Sequence, residues 1–174
     1  TWHNKSVFCR LQQQRRCKAV SRRDYKSSKN VILNMASIKN IQQSIIEEFD
    51  MFEDWMEKYE YIIDLGKSLP IIDNKFKTED YLINGCQSRV WLHAQQKNDK
   101  VIYTADSDAI MTKGIVALLI RAFSEQQAQE IVEADTDFIN QIGLKDQLSP
   151  TRANGLVSMI KQMKLYALAF QSKN

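Results

Sequence analysis

Chain breakers are scarce, with five glycines and two prolines in 174 residues. Long structureless stretches and barrels of many turns need more of both. No apolar run reaches 18 residues, which argues against a membrane span. The first residues lack an apolar stretch and a small-residue cleavage site, so they do not read as a secretory signal. Cysteine is limited to Cys9, Cys17 and Cys86, and histidine to His3 and His93. That set fits neither a disulfide framework nor a zinc pattern, and no metal or cofactor is expected. Free thiols of this kind suit a reducing, cytoplasmic compartment. The chain also has no glycine-rich phosphate loop or Walker sequence, which disfavours a nucleotide enzyme.

What is present is ordinary globular composition, 44% hydrophobic and 26% charged, enough for one domain with a sizeable core. The net charge of +3 hides a split: residues 1–34 carry nine Lys or Arg against the single acid Asp24, and the rest carries fifteen bases and twenty acids. The tail is +8 and the body −5. An acidic body argues against nucleic acid as the main partner. Residues 1–34 show no sustained period, whereas helical patterning opens just after Met35. The chain is therefore divided into a basic tail, 1–34, outside the fold, and a domain over 35–174. Met35 is read as the true start and the tail as upstream sequence. A basic arm for RNA or membranes and an organellar transit segment are the alternatives.

Within the domain, Ser37 caps a helix over 37–49 with Ile38, Ile41, Ile45, Ile46 and Phe49 at helical spacing. A second helix over 51–65 sets Phe52, Trp55, Tyr59, Ile62 and Ile63 near one face, and Gly66 and Pro70 mark its stop. Residues 71–84 read as a connection with a short helical turn near Thr78. Strands at 88–96 and 101–105 flank the polar turn 97–100 and form an antiparallel hairpin. Val90, Leu92 and Ala94 point one way, and Trp91, His93 and Gln95 the other. A two-stranded hairpin is marginal alone, so a third strand is expected, with 71–76 as the best candidate. Asp106, Ser107 and Asp108 can cap an almost wholly apolar helix over 109–123, read as the buried central one. Gly114 inside it forgoes about 1 kcal/mol of helix propensity, which points to another backbone packed close by. Short helices follow at 126–134 and 136–142, the latter stopping at Gly143. Ser149–Pro150 opens a last helix to about Gln171. The fold class is α+β, a single domain with a small antiparallel three-stranded sheet covered by helices.

Cys86 is the residue with the most chemical promise. A free cysteine is among the most buried residue types, so an inert core thiol is one reading. Its place on a loop between Gly85 and the polar Gln87–Ser88 favours a second, a thiol set out for reaction. No neighbour is an obvious general base. His93 lies about 20 Å further along an extended chain and on the opposite face, which argues against a Cys–His dyad. A thiolate attacks a sulfane sulfur without a base, so a lone nucleophile suggests a carrier. Arg152 opens the last helix against the helix dipole, so a specific anionic partner such as a thiolate or persulfide is one reading and a solvated base the other. Asp106 and Asp108 read first as simple caps.

Four stretches then carry a resemblance: KYEYIIDLGKSLP at 58–70, GCQSRVWL at 85–92, ADSDAIMTKGIVALL at 105–119 and LSPTRANGL at 148–156. In order and spacing they resemble the SufE family, sulfur-acceptor partners of cysteine desulfurases. The resemblance implies a SufE/NifU-like fold and a protein that is not a self-contained enzyme. It implies that Cys86 accepts sulfane sulfur as a persulfide from a pyridoxal-phosphate-dependent, SufS-like desulfurase. The sulfur would then pass to a SufBCD-type scaffold that assembles iron–sulfur clusters. It implies that Gly85, Gln87 and Ser88 belong to a mobile loop that is tucked away at rest, that Arg152 supports charge near it, and that Asp108 positions loop and partner. The chain departs from the family at Ser124–Glu125–Gln126, where relatives carry a glycine-containing turn. A monomer or weak homodimer is expected. The competing readings are an interaction module that binds the desulfurase with a structural Cys86, and a nucleic-acid binder driven by residues 1–34.

Overall fold

The computed structural model describes residues 37–172. The expectations for 1–34 and for Met35 lie outside the described residues. Helix α1 spans Ile38–Phe49, and its Ser37 cap accepts a hydrogen bond from the Asn40 N–H at 3.4 Å. Helix α2 spans Trp55–Lys67. It starts later than periodicity suggested because Asp54 takes the cap, accepting from the Glu57 N–H at 2.9 Å. Gly66 does not end it. It is a buried packing position where a Cβ would lie 2.9 Å from the backbone N of Gly114. Gly114 sits in α3, Ile110–Phe123, and a Cβ there would meet the Ile62 carbonyl oxygen at 2.2 Å. The close backbone approach expected at Gly114 is present, and α2 supplies it.

Strands β1 (Val90–Lys97) and β2 (Lys100–Ser107) pair antiparallel from Val90 opposite Ser107 to Lys97 opposite Lys100. Asn98 and Asp99 turn the hairpin with φ of 50° and 61°, the left-handed pair that a two-residue turn requires. Val90, Leu92 and Ala94 are buried on the inner face, with Val101, Tyr103 and Ala105 from β2. The third strand is not 71–76. It is β3, Gln126–Gln127, paired antiparallel with Lys100 and Val101 on the far side of β2. Residues 71–76 pair with the sheet backbone through a parallel bridge, Ile71 to Ala105. Asp73 then accepts from the Lys75 N–H and bends the chain into a tight helical turn, Asn74–Phe76. Phe76 stacks on the His93 ring at 3.8 Å. A second tight turn, Glu79–Tyr81, follows Thr78.

The short helices α4 (Ala128–Glu133) and α5 (Phe138–Gln141) lead through Gly143 to α6, Pro150–Gln171. Residues 126–127, expected at the start of α4, are drawn into the sheet instead. Pro150 opens α6, although the Ser149 side chain makes no cap bond. Leu156, Met159, Met163 and Ala167 bury one stripe of α6 against the core. Among the described residues the buried Trp91 indole N–H has no hydrogen-bond partner, while other inner polar groups are paired. The Tyr103 hydroxyl donates to the Met163 carbonyl at 2.7 Å, and burial pushes its ionisation above the usual tyrosine range. Arg121 grips the Glu48 carboxylate with both Nη atoms at 2.6 Å while Tyr61 donates to the same carboxylate. Burial, then the Glu48 hydrogen bond, pushes the Tyr61 pKa up to about 12. Among the described residues no helix is long and apolar enough to cross a membrane.

Candidate functional site

The loop 84–89 enters β1 and is fastened at both feet. At the first, Leu82 bridges Trp91 and the Ile83 N–H donates to the Val90 carbonyl at 2.8 Å. At the second, the Arg89 N–H donates to Asp108 Oδ1 at 3.0 Å and the Asp108 N–H returns a bond to the Arg89 carbonyl at 3.3 Å. Asp108 is thus not the cap of α3. That position falls to Ala109, which has no side-chain cap bond, and Ser107 Oγ accepts from the Ala109 N–H. Asp106, the third expected capping residue, lies one residue before the end of β2, between Lys77 and Lys113, each at 2.6 Å. Burial raises its carboxyl, but the hydrogen bonds from Lys113 and Lys77 outweigh that and hold it below the usual carboxylate range.

Between the feet, Ser88 Oγ donates to Thr112 Oγ1 at 2.9 Å, tying the loop to the first turn of α3. Gly85 has φ of 87°, a conformation that disfavours any residue with a Cβ. Gln87 is exposed. Cys86 is half-buried and faces α6, where its thiol approaches the Gly155 carbonyl oxygen at 3.7 Å. That is a long contact for a weak S–H donor. Burial pushes the thiol pKa up, so the docked side chain is held as the neutral thiol. The reactive form, thiolate, is favoured only where the side chain meets water or positive charge.

Arg152 is exposed one helical turn before Gly155, and its side chain has no hydrogen bond or ion pair among the described residues. That spacing of three residues on α6 puts the two positions on neighbouring parts of one helix surface. His93 belongs elsewhere: it stacks on Phe76, with Tyr81 edge-on at 5.5 Å. No hydrogen bond links it to Cys86 among the described residues. The structure therefore gathers Gly85, Cys86 and Ser88 into one loop that Asp108 fastens, and carries Arg152 in the first turn of α6, the helix that Cys86 faces. Gly155, Ser158 and Thr112 were not singled out from sequence. For Gly155 a signal existed, since glycine inside a helix is unfavourable and needs a reason. Thr112 carried none.

Residues 43–167 match the profile of the SufE family, described as an Fe-S metabolism associated domain. The chain is 39% identical over 134 residues to SufE-like protein 1, chloroplastic/mitochondrial, of Arabidopsis thaliana, a match covering 75% of this chain but 36% of that protein. The chain thus spans about a third of that relative's length. It is 37% identical over 142 residues to an uncharacterized SufE-like protein of Synechocystis, covering 82% of this chain and 89% of the relative. A SufE-like protein of Rhizobium meliloti, also uncharacterized, is 38% identical over 125 residues, covering 69% of this chain and 89% of the relative. In three dimensions the chain is similar to a solution structure of a hypothetical protein from Thermus thermophilus, with a TM-score of 0.66 and 16% identity over 76% of this chain and 96% of that one. That likeness speaks for the fold, while the matched profile and the sequence relatives place the chain in the SufE family.

Proposed function

We propose that this protein is a sulfur carrier that takes sulfane sulfur onto Cys86 from a cysteine desulfurase and hands it on for iron–sulfur cluster assembly. The observation that supports this best is the mounting of Cys86: a loop fixed at both feet, with a thiol at its tip that packs on α6 and makes only a long polar contact there. Such a loop lets the thiol move while the sheet and helices stay in place. In the transfer, the Cys86 thiolate attacks the terminal sulfur of a persulfide on the donor's cysteine. The donor's S–S bond breaks, its cysteine leaves as a thiolate, and a new S–S bond joins that sulfur to Cys86. The proton lost from Cys86 goes to solvent or to the departing thiolate. The same exchange run toward an acceptor thiol delivers the sulfur.

The donor of suitable chemistry is a pyridoxal-phosphate-dependent desulfurase, whose cofactor does the C–S cleavage on free cysteine. The receiver is a SufBCD-type scaffold. Arg152 would steady negative charge on the thiolate or persulfide when the tip lifts from α6. Asp108 keeps the second foot in place. A reducing compartment such as the cytoplasm keeps the acceptor thiol free.

The test is peptide mass mapping after incubation with a desulfurase and cysteine. The expected result is a gain of about 32 Da, one sulfur, on the Cys86 peptide, lost in Cys86→Ala. Mapping separates Cys86 from Cys9 and Cys17. A second reading is favoured by the half-burial of Cys86 against core residues: an interaction module with a structural thiol. It requires desulfurase binding and stimulation that survive Cys86→Ala, with no sulfur on the peptide.

A further inference from the structure

Gly155 is buried in α6, and the space its missing side chain leaves is filled by Cys86. A Cβ on Gly155 would lie 3.3 Å from Cys86 Sγ, 3.5 Å from its Cα and 3.7 Å from its Cβ. One turn further along the same face, Ser158 supports the preceding loop residue: a Cβ on Gly85 would lie 3.0 Å from Ser158 Oγ. Two successive loop residues therefore rest on two successive turns of one helix. Helical backbone does not call for glycine at 155, and glycine is a poorer helix former there than alanine or leucine. What does call for it is the loop.

We propose that Gly155 is a positioning residue for the sulfur-transfer reaction: its bare backbone is the seat in which the Cys86 thiol rests between transfers. This deepens the carrier reading and rests on it. The seat works by fit. The thiol contact to the Gly155 carbonyl is long, so van der Waals contact over Gly155 and Ser158 holds the tip. The feet are held independently, by the Arg89–Asp108 pair and the Ile83–Val90 bond. Filling the seat lifts the tip and leaves the feet fastened. A methyl group at 155 asks the sulfur to give by a few tenths of an ångström, whereas an isobutyl group takes its place.

The experiment is alkylation of Cys86 by iodoacetamide in the full chain, quantified on the Cys86 peptide, with thermal melting of each variant. Relative to the natural protein, Gly155→Ala should react roughly threefold faster and Gly155→Leu roughly tenfold or more, because an undocked thiol ionises and is reached more readily. Melting temperature should hold or rise, since both replacements are better helix formers. Ser158→Leu, which lifts Gly85 from the next turn, should act in the same direction and guards against a misfolded Gly155 variant. Unchanged reactivity in both leucine variants overturns the proposal. So does a gain in reactivity matched by a fall in melting temperature, which assigns Gly155 to core packing. Sulfur loading from a desulfurase is read separately: if alkylation responds but Cys86 never loads, the carrier reading fails and the seat stands.

Discussion

Arg89 and Asp108 hold each other by two bonds, the Arg89 N–H to the Asp108 carboxylate at 3.0 Å and the Asp108 N–H to the Arg89 carbonyl at 3.3 Å. The pair joins the end of the cysteine loop to the turn that launches α3, across nineteen residues of chain. Because the bond runs through the side chain of one residue and the backbone of the other, only Asp108 is sensitive to substitution. Asp108→Ala should cost about 1 kcal/mol of stability, the usual worth of one exposed hydrogen bond, and should raise the alkylation rate of Cys86 by freeing the second foot. Asp108→Asn keeps an acceptor and should stay near the natural protein in both measurements. If all three proteins alkylate alike, the foot does not control the tip.

Arg152 is exposed and unengaged among the described residues, so its removal should leave the fold alone. Arg152→Ala is expected to stay within about 0.5 kcal/mol of the natural protein by denaturant melting, as surface changes do. Its rate of sulfur acceptance should fall roughly tenfold, the effect of removing one cation that favours a thiolate. Arg152→Lys should recover part of the loss. A large drop in stability with transfer per folded molecule unchanged would make Arg152 structural.

The hairpin and α6 were legible because their signals are local and repeated. Alternation from Val90 to Ala94 has the period of a strand, and a serine followed by proline just ahead of an apolar helical stripe is a common helix start. Gly114 was legible as a packing site because its cost inside an apolar run demands a reason. The same rule misjudged Gly66, since Ser68 and Pro70 follow so closely that a stop signal and a packing signal overlap. The third strand was illegible: two glutamines carry no alternation, and their pairing is set by the turn at Glu125. The isoleucines at 71 and 72 suggested a strand that Asp73 bends away. Asp108 looked like a cap because a short polar cluster before a helix usually is one. Its partner at Arg89 is too far along the chain for any local pattern to show.

The Gly66–Gly114 contact leaves no room for side chains. Gly114→Ala puts a Cβ 2.2 Å from the Ile62 carbonyl oxygen, so α2 and α3 must separate. We expect a loss of about 1–3 kcal/mol or more from overpacking, despite the gain in helix propensity. Gly66→Ala, with its nearest backbone atom at 2.9 Å, should lose less. Chemical denaturation of both variants checks the order. Equal stability of Gly114→Ala and the natural protein would mean that the two helices are not locked.

Glu125 lies in the turn between α3 and β3, and its φ of 63° is left-handed. Its N–H still donates to the Val101 carbonyl at 2.8 Å, so the turn is made under strain. Glu125→Gly should stabilise the protein by about 0.5–1 kcal/mol, the relief of an αL penalty less the extra entropy of an unfolded glycine. A lower melting temperature would show that the Glu125 side chain contributes more than the strain removes.

The fastened feet also set a radius of action. Cys86 stands three residues from Ile83 and three from Arg89, so even with each arm fully extended the sulfur can stray only about 10 Å from its anchors. A donor sulfur must be brought inside that short sphere for exchange to occur. On the proposed carrier function, the docking of donor and acceptor, more than the flexibility of the loop, would decide which persulfides this thiol meets. A stray persulfide on an ill-fitting protein would stay out of range, and selectivity would follow from a tether length written into six residues.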